Sequence, residues 1–99
     1  MVINPNGFVG IGTTTPTNVL DLGAYVGGTI TDNVGKKLAV YNDAAGTDFY
    51  GLGISPGILQ FHAASTANEA PAMILNGNGN VGIGTTTPAG NVILELSAN

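Results

Sequence analysis

The sequence has no cysteine and no tryptophan, a single histidine, and two basic residues against six acidic ones. Each shortage removes a class of function. Without cysteine there is no disulfide framework, no thiolate metal site and no cysteine nucleophile. Lys36 and Lys37 are the only cations and the formal net charge is -4, so the chain lacks the basic footprint that nucleic acid requires. His62 alone supplies neither a pair of zinc-binding histidines nor the base of a Ser-His-Asp triad with a second to spare. No apolar run approaches the ~20 residues of a membrane span, and the opening MVINPNG has neither a basic region nor a hydrophobic signal core. The expectation is a non-enzymatic chain with no cofactor, no bound metal, no nucleic-acid partner and no membrane insertion.

Charge is scarce as well. Charged residues make up 8% of the chain, against about 25% in an ordinary soluble domain. Threonine and asparagine must then do most of the solvating, a surface suited to an exposed, self-associated, protease-resistant object. A compact monomer of this size buries only roughly 60 to 65% of its unfolded surface, so stability calls for contacts beyond one chain. Met1 followed at once by repeat sequence reads as a piece of something longer.

What is plentiful is glycine, 16 of 99 residues, and much of it falls in a duplication. VGIGTTTP occurs at Val9–Pro16 and again at Val81–Pro88, and the surrounding stretches Asn6–Pro16 and Asn78–Pro88 agree at ten of eleven positions. Asn6-Gly7 is a turn signal, after which Val9 and Ile11 alternate with Gly10 and Gly12. One face of such a strand is branched and apolar and the other is bare backbone. Val81, Gly82, Ile83 and Gly84 repeat the pattern, which implies a close approach of another backbone, from the same chain or from a neighbour. Thr13 to Thr15 are expected to continue extended until Pro16 forces an exit, and Val19-Leu20-Asp21-Leu22 reads as a second strand. Ile93-Leu94-Glu95-Leu96 repeats it after a connection two residues longer. The unit is strand, kink, strand, and a lone hairpin of that kind has to stack on something. A phosphate cradle is excluded, because Gly12 and Gly84 lead into threonines and proline with no lysine and no helix.

Between the copies lies a block that reads as an antiparallel meander. Leu38 and Val40 alternate with Ala39 and Tyr41; Asn42 to Thr47 is a turn; Phe49 to Ile54 places Tyr50, Leu52 and Ile54 on one face; Ser55-Pro56-Gly57 turns the chain into Ile58 to Ala63. Ala64 to Ala72 reads as a loop, and Gly27-Gly28 and Asp32-Asn33 as turns. Phe49, Phe61 and either Tyr41 or Tyr50 are the expected core of the meander. The fold class is all-β, a small antiparallel domain over 23–73 flanked by repeats over 1–22 and 74–99.

Three groups carry conceivable chemistry. Three copies of His62 meeting on a symmetry axis would hold an ion, but a lone strand histidine reads first as a packed or hydrogen-bonded residue. Asp43 and Asp48 flank one turn; carboxylates about 5 to 9.5 Å apart can hydrolyse glycosides, while turn aspartates more simply bind their own backbone. Tyr41 or Tyr50 left outside the core would, with Asp43, Asp48, Gln60 and His62, border a shallow ligand surface for a sugar.

The stretch NGNVGIGTTTPAGNVILELS, Asn78 to Ser97, resembles the GNVGIGTTxPxxxLxV shaft repeat of phage tail fibres and related bacterial trimeric surface fibres, and Asn6 to Leu22 resembles the same unit. Lys36 to Ala63 is similar to the domain found between such repeats. The resemblance implies an extracellular, interwoven parallel homotrimer, in a virion tail fibre or on a bacterial surface, with attachment to cell-surface polysaccharide or another receptor as its work. It implies a shared trimer core of Val9, Ile11, Val81 and Ile83, with Gly10, Gly12, Gly82 and Gly84 admitting neighbouring strands. A tailspike depolymerase fragment and a monomeric carbohydrate-binding module are the alternatives; few carboxylates weigh against the first, and mass in solution decides the second.

Overall fold

The computed structural model describes residues 1–23, 36–41, 48–64 and 70–97. The turns expected at Gly27-Gly28, Asp32-Asn33 and 42–47 lie outside them. Short apolar runs broken by Gly, Asn and Pro give nine strands and no helix among the described residues, so the protein is all-β. Strands β1 (Val2–Ile3), β2 (Val9–Gly10) and β3 (Leu20–Asp21) form a three-stranded sheet in that order. Strands β4 (Lys36–Tyr41), β5 (Phe49–Ser55), β6 (Ile58–Ala64), β7 (Met73–Asn76), β8 (Val81–Ile83) and β9 (Leu94–Leu96) form a six-stranded sheet, again in chain order. The meander is present: β4, β5 and β6 are successively antiparallel, and β7 and β8 continue the series.

Both sheets end in a parallel pair, which corrects the reading of the repeat unit as a hairpin. β3 runs parallel to β2, with Val9 opposite Leu20, and β9 runs parallel to β8, with Val81 opposite Leu94. The cause is local. Gly12 and Gly84 turn the chain at φ 83° and 77°, a left-handed conformation that glycine adopts without strain. The threonines then fold into a tight turn instead of extending, with the Thr15 amide donating to Thr13 Oγ1 and the Thr87 amide to Thr85 Oγ1, both at 3.2 Å. The connection is thereby carried back to the level at which the strand began. Parallel neighbours usually need a crossover of a dozen or more residues, and here the crossover is shorter and lies tight on its own strand.

That tightness explains the glycines at 10 and 82. A Cβ on Gly10 would lie 2.6 Å from the Thr13 carbonyl oxygen, and one on Gly82 would lie 2.6 Å from that of Thr85. Gly12 and Gly84 face the carbonyls of Leu22 and Ser97 in the same way. The close backbone approach is thus made inside one chain, and no neighbouring chain is required to account for the bare face.

The duplication is longer in three dimensions than its identical residues suggest. In both copies a strand precedes the turn: β1 pairs with β2 through Val2–Gly10 and Ile3–Val9, and β7 pairs with β8 through Ile74–Gly82 and Leu75–Val81. An asparagine holds each turn. Asn4 Oδ1 accepts from the amides of Asn6 and Phe8 at 3.0 Å, and Asn76 Oδ1 accepts from those of Asn78 and Asn80 at 3.1 and 3.0 Å. MVIN and MILN are the sequence trace of this shared start.

β4 carries two irregularities, and Val40 is the extra residue of the second, between the pairs Ala39–Gly51 and Tyr41–Tyr50. Leu38 and Tyr41 therefore share a face, rather than Leu38 and Val40. The core is small. Phe49 and Ile74 are the large apolar residues fully buried among those described, at 2% and 0% exposure. Phe61 and Tyr50 are half-buried and Tyr41 is exposed. The chain exposes 6071 Å², where a compact monomer of its mass would expose about 5,200 Å².

Candidate interaction surface

Residues directly opposite one another in a sheet share a face, so the register alone shows where the apolar side chains go. In the six-stranded sheet one face is apolar from edge to edge. Leu38 stands opposite Leu52, Leu52 opposite Phe61 and Ile54 opposite Leu59. Phe61 then meets Met73, Leu59 meets Leu75, Leu75 meets Val81, and Val81 and Ile83 meet Leu94 and Leu96. None of these is fully buried; Leu38, Leu59, Ile83, Leu94 and Leu96 are between 38% and 69% exposed. The three-stranded sheet repeats the motif with Ile3, Val9 and Leu20 in register. Where the two sheets approach, Leu22 and Gly23 meet Leu38, Leu52, Ile54 and Leu59 around an open apolar cleft of about 250 Å³.

The opposite face is the covered one, and it sets the two buried apolar residues, Phe49 and Ile74, among small and polar ones. Gly53, Ser55, Gln60, His62, Ile74 and Gly82 lie buried there. The Gln60 amide donates to Ser55 Oγ at 3.3 Å, and Gln60 Oε1 lies 2.9 Å from His62 Nε2. The His62 ring tilts against Phe49, with centroids 5.2 Å apart. Burial of polar groups is tolerable because they are bonded to one another.

This arrangement divides the residues expected to border a ligand surface. Tyr41 and Tyr50 come together edge-to-face, their centroids 5.6 Å apart, on the apolar face. Gln60 and His62 are buried on the other side and do not border that surface. Asp48 is half-buried immediately before β5, and Asp43 lies outside the described residues. Among the described residues no three His, Cys, Asp or Glu side chains gather into a metal-binding group, and no helix is long and apolar enough to cross a membrane.

Val9, Ile11, Val81 and Ile83 stand at matched positions in the two repeats and all have their side chains half-buried or exposed. Acidic residues in β3 and β9 fasten the crossovers. Asp21 Oδ2 accepts from the Thr17 amide at 3.0 Å, while Glu95 Oε1, one methylene longer, accepts from the Ala89 amide at 3.4 Å across the longer connection. Sequence reading missed Asn4, Asn76, Asp21 and Glu95 as structural residues, although their matched spacing in the two copies was visible. The sequence matches no protein-family model and no curated protein.

Proposed function

We propose that the chain is a non-enzymatic structural and adhesive segment of a homotrimeric extracellular fibre, in which three copies close their apolar sheet faces around a common axis. The observation that carries this reading is the apolar face running unbroken across six strands, beside a core in which only Phe49 and Ile74 are fully buried large apolar side chains among the described residues. Exposed apolar area of that continuity belongs to interfaces rather than to monomer surfaces. The resemblance of the duplicated GNVGIGTTTP unit to fibre shaft repeats supplies the trimer and the setting, on a virion or a bacterial surface. The glycines do not support it, since their close contacts lie within the chain.

Light scattering after size exclusion tests the assembly. The expected mass is about three times 9.9 kDa, and Leu59→Glu, which places a charge in the middle of the face, is expected to release a folded species of single-chain mass. A wild-type mass of one chain overturns the proposal.

A contact with cell-surface glycan is the reading that Tyr41 favours, because its ring is 56% exposed at the margin of the apolar face, on the edge strand β4 beside the half-buried Tyr50, and an exposed aromatic ring stacks on sugar faces. Glycan-array binding that is lost in Tyr41→Ala and Tyr50→Ala, in protein that remains folded, is the expected outcome. Binding unchanged in both variants sinks it.

A further inference from the structure

We propose that the outer edge of β1 is an acceptor for one added antiparallel strand of the β6 kind, supplied from outside this chain. The two repeats make an internal comparison. β7 is covered on its outer side by β6, in the register Leu59–Leu75, Gln60–Ile74 and Phe61–Met73. β1, its counterpart in the first repeat, is the edge of its sheet and has no such neighbour among the described residues. The side chains record the difference. Ile74 is 0% exposed and Met73 and Leu75 are half-buried, whereas Val2 is half-buried and Met1 and Ile3 are 86% and 64% exposed.

The backbone agrees. The Asn4 amide donates to the Phe8 carbonyl at 3.0 Å, which makes Asn4 and Phe8 a hydrogen-bonded pair of the β1–β2 ladder. Alternation then turns the N–H and C=O of Ile3 to the outer edge. In the second repeat the Asn76 amide makes the same bond to Asn80, and the equivalent outward groups of Leu75 meet Leu59 of β6. The chemistry of the guest follows from this. It is an extended segment with apolar residues opposite Met1 and Ile3 and a polar one opposite Val2, as Phe61, Leu59 and Gln60 stand on β7. Its ladder stops at Asn4, because Pro5 occupies the place of Gly77, whose amide donates to the Gly57 carbonyl of the β5–β6 turn at 2.8 Å. Strand addition at an open edge uses main-chain bonds for affinity and alternate side chains for selectivity. The inference does not rest on the trimeric reading, since β1 is the edge of its sheet among the described residues of a single chain.

The test uses the isotopically labelled full chain and the synthetic peptide SPGILQFHAA, the sequence of Ser55–Ala64. Saturable shifts confined to Met1–Asn4, with slowed exchange of the Ile3 amide, are expected; a scrambled peptide should leave both unchanged. Because a ladder this short binds weakly, a second protein carries residues 58–72 fused ahead of Met1, which repeats the natural β6–β7 connection and raises the local strand concentration to the millimolar range. The Ile3 amide should then exchange roughly tenfold or more slowly than in the parent chain. An unchanged Ile3 rate in the fusion overturns the proposal. So do peptide shifts that appear equally at β4 and β9, which signify indiscriminate edge pairing. Ile3 protection that rises with protein concentration in the unmixed chain overturns the outside guest in favour of a second copy.

Discussion

Replacing Gly82 by alanine tests whether the repeat's glycines serve the chain itself. The new Cβ would lie 2.6 Å from the Thr85 carbonyl oxygen, 3.2 Å from Thr85 Cγ2 and 3.3 Å from Ile74 Cγ1. The nearest of these is backbone in a tight crossover and cannot swing aside, so strain of about 1–3 kcal/mol is expected. Alanine lowers unfolded-state entropy and returns about 0.4–1 kcal/mol. The net loss is about 0.5–2 kcal/mol, a fall in melting temperature of roughly 2–15 °C for a domain of this size. Gly90→Ala is the control. Nothing lies within 4 Å of its added Cβ, and its φ is not in the left-handed region, so the unfolded-state term acts alone and the variant should melt at or above wild type. Thermal melts followed by circular dichroism compare the two. Because the contact is within one chain, the same loss should appear when Gly82→Ala is combined with Leu59→Glu. Melting of Gly82→Ala at the wild-type temperature, or disappearance of the loss in the Leu59→Glu background, refutes the assignment of the contact to the chain's own crossover.

Asn76→Ala removes the acceptor for two turn amides and should cost about 1–2 kcal/mol in urea unfolding, whereas Asn76→Asp, which keeps the acceptor, should cost less than half as much. Gln60→Ala leaves Ser55 and His62 without their shared partner on the buried face, and a loss of about 1–3 kcal/mol is expected as a lower midpoint with an unchanged denaturant slope. An unaltered midpoint would mean that water replaces the Gln60 side chain.

Much of this fold was legible in residues. Asn6-Gly7 and Pro56-Gly57 mark real turns, and Tyr50, Leu52 and Ile54 share a face as their alternation implied. Strand direction was not legible. Alternation is the same for a parallel and an antiparallel partner, and the choice was made by the left-handed Gly12 and Gly84 and the threonine turns behind them. Which face a single chain covers was not legible for a related reason. Apolar residues usually mark the inside, but glycine lets a crossover settle onto the opposite face, so Gly82 and Ile74 are buried within the chain while Val81 is half-buried and Leu94 exposed. Gln60 and His62 went with the glycines. The start of the repeat was passed over because Val2-Ile3 and Ile74-Leu75 match in kind and not in identity.

The two connections differ by two residues, Thr17-Asn18 against Ala89-Gly90-Asn91-Val92, yet Val9–Leu20 and Val81–Leu94 keep the same register. Length at this point is therefore not read by the sheet. An insertion between Pro88 and Ile93 should leave the strands where they are, and foreign peptides placed there would be carried on the outside of the protein at a fixed position. Variation concentrated at this connection would let such a chain change what it presents without changing how it folds.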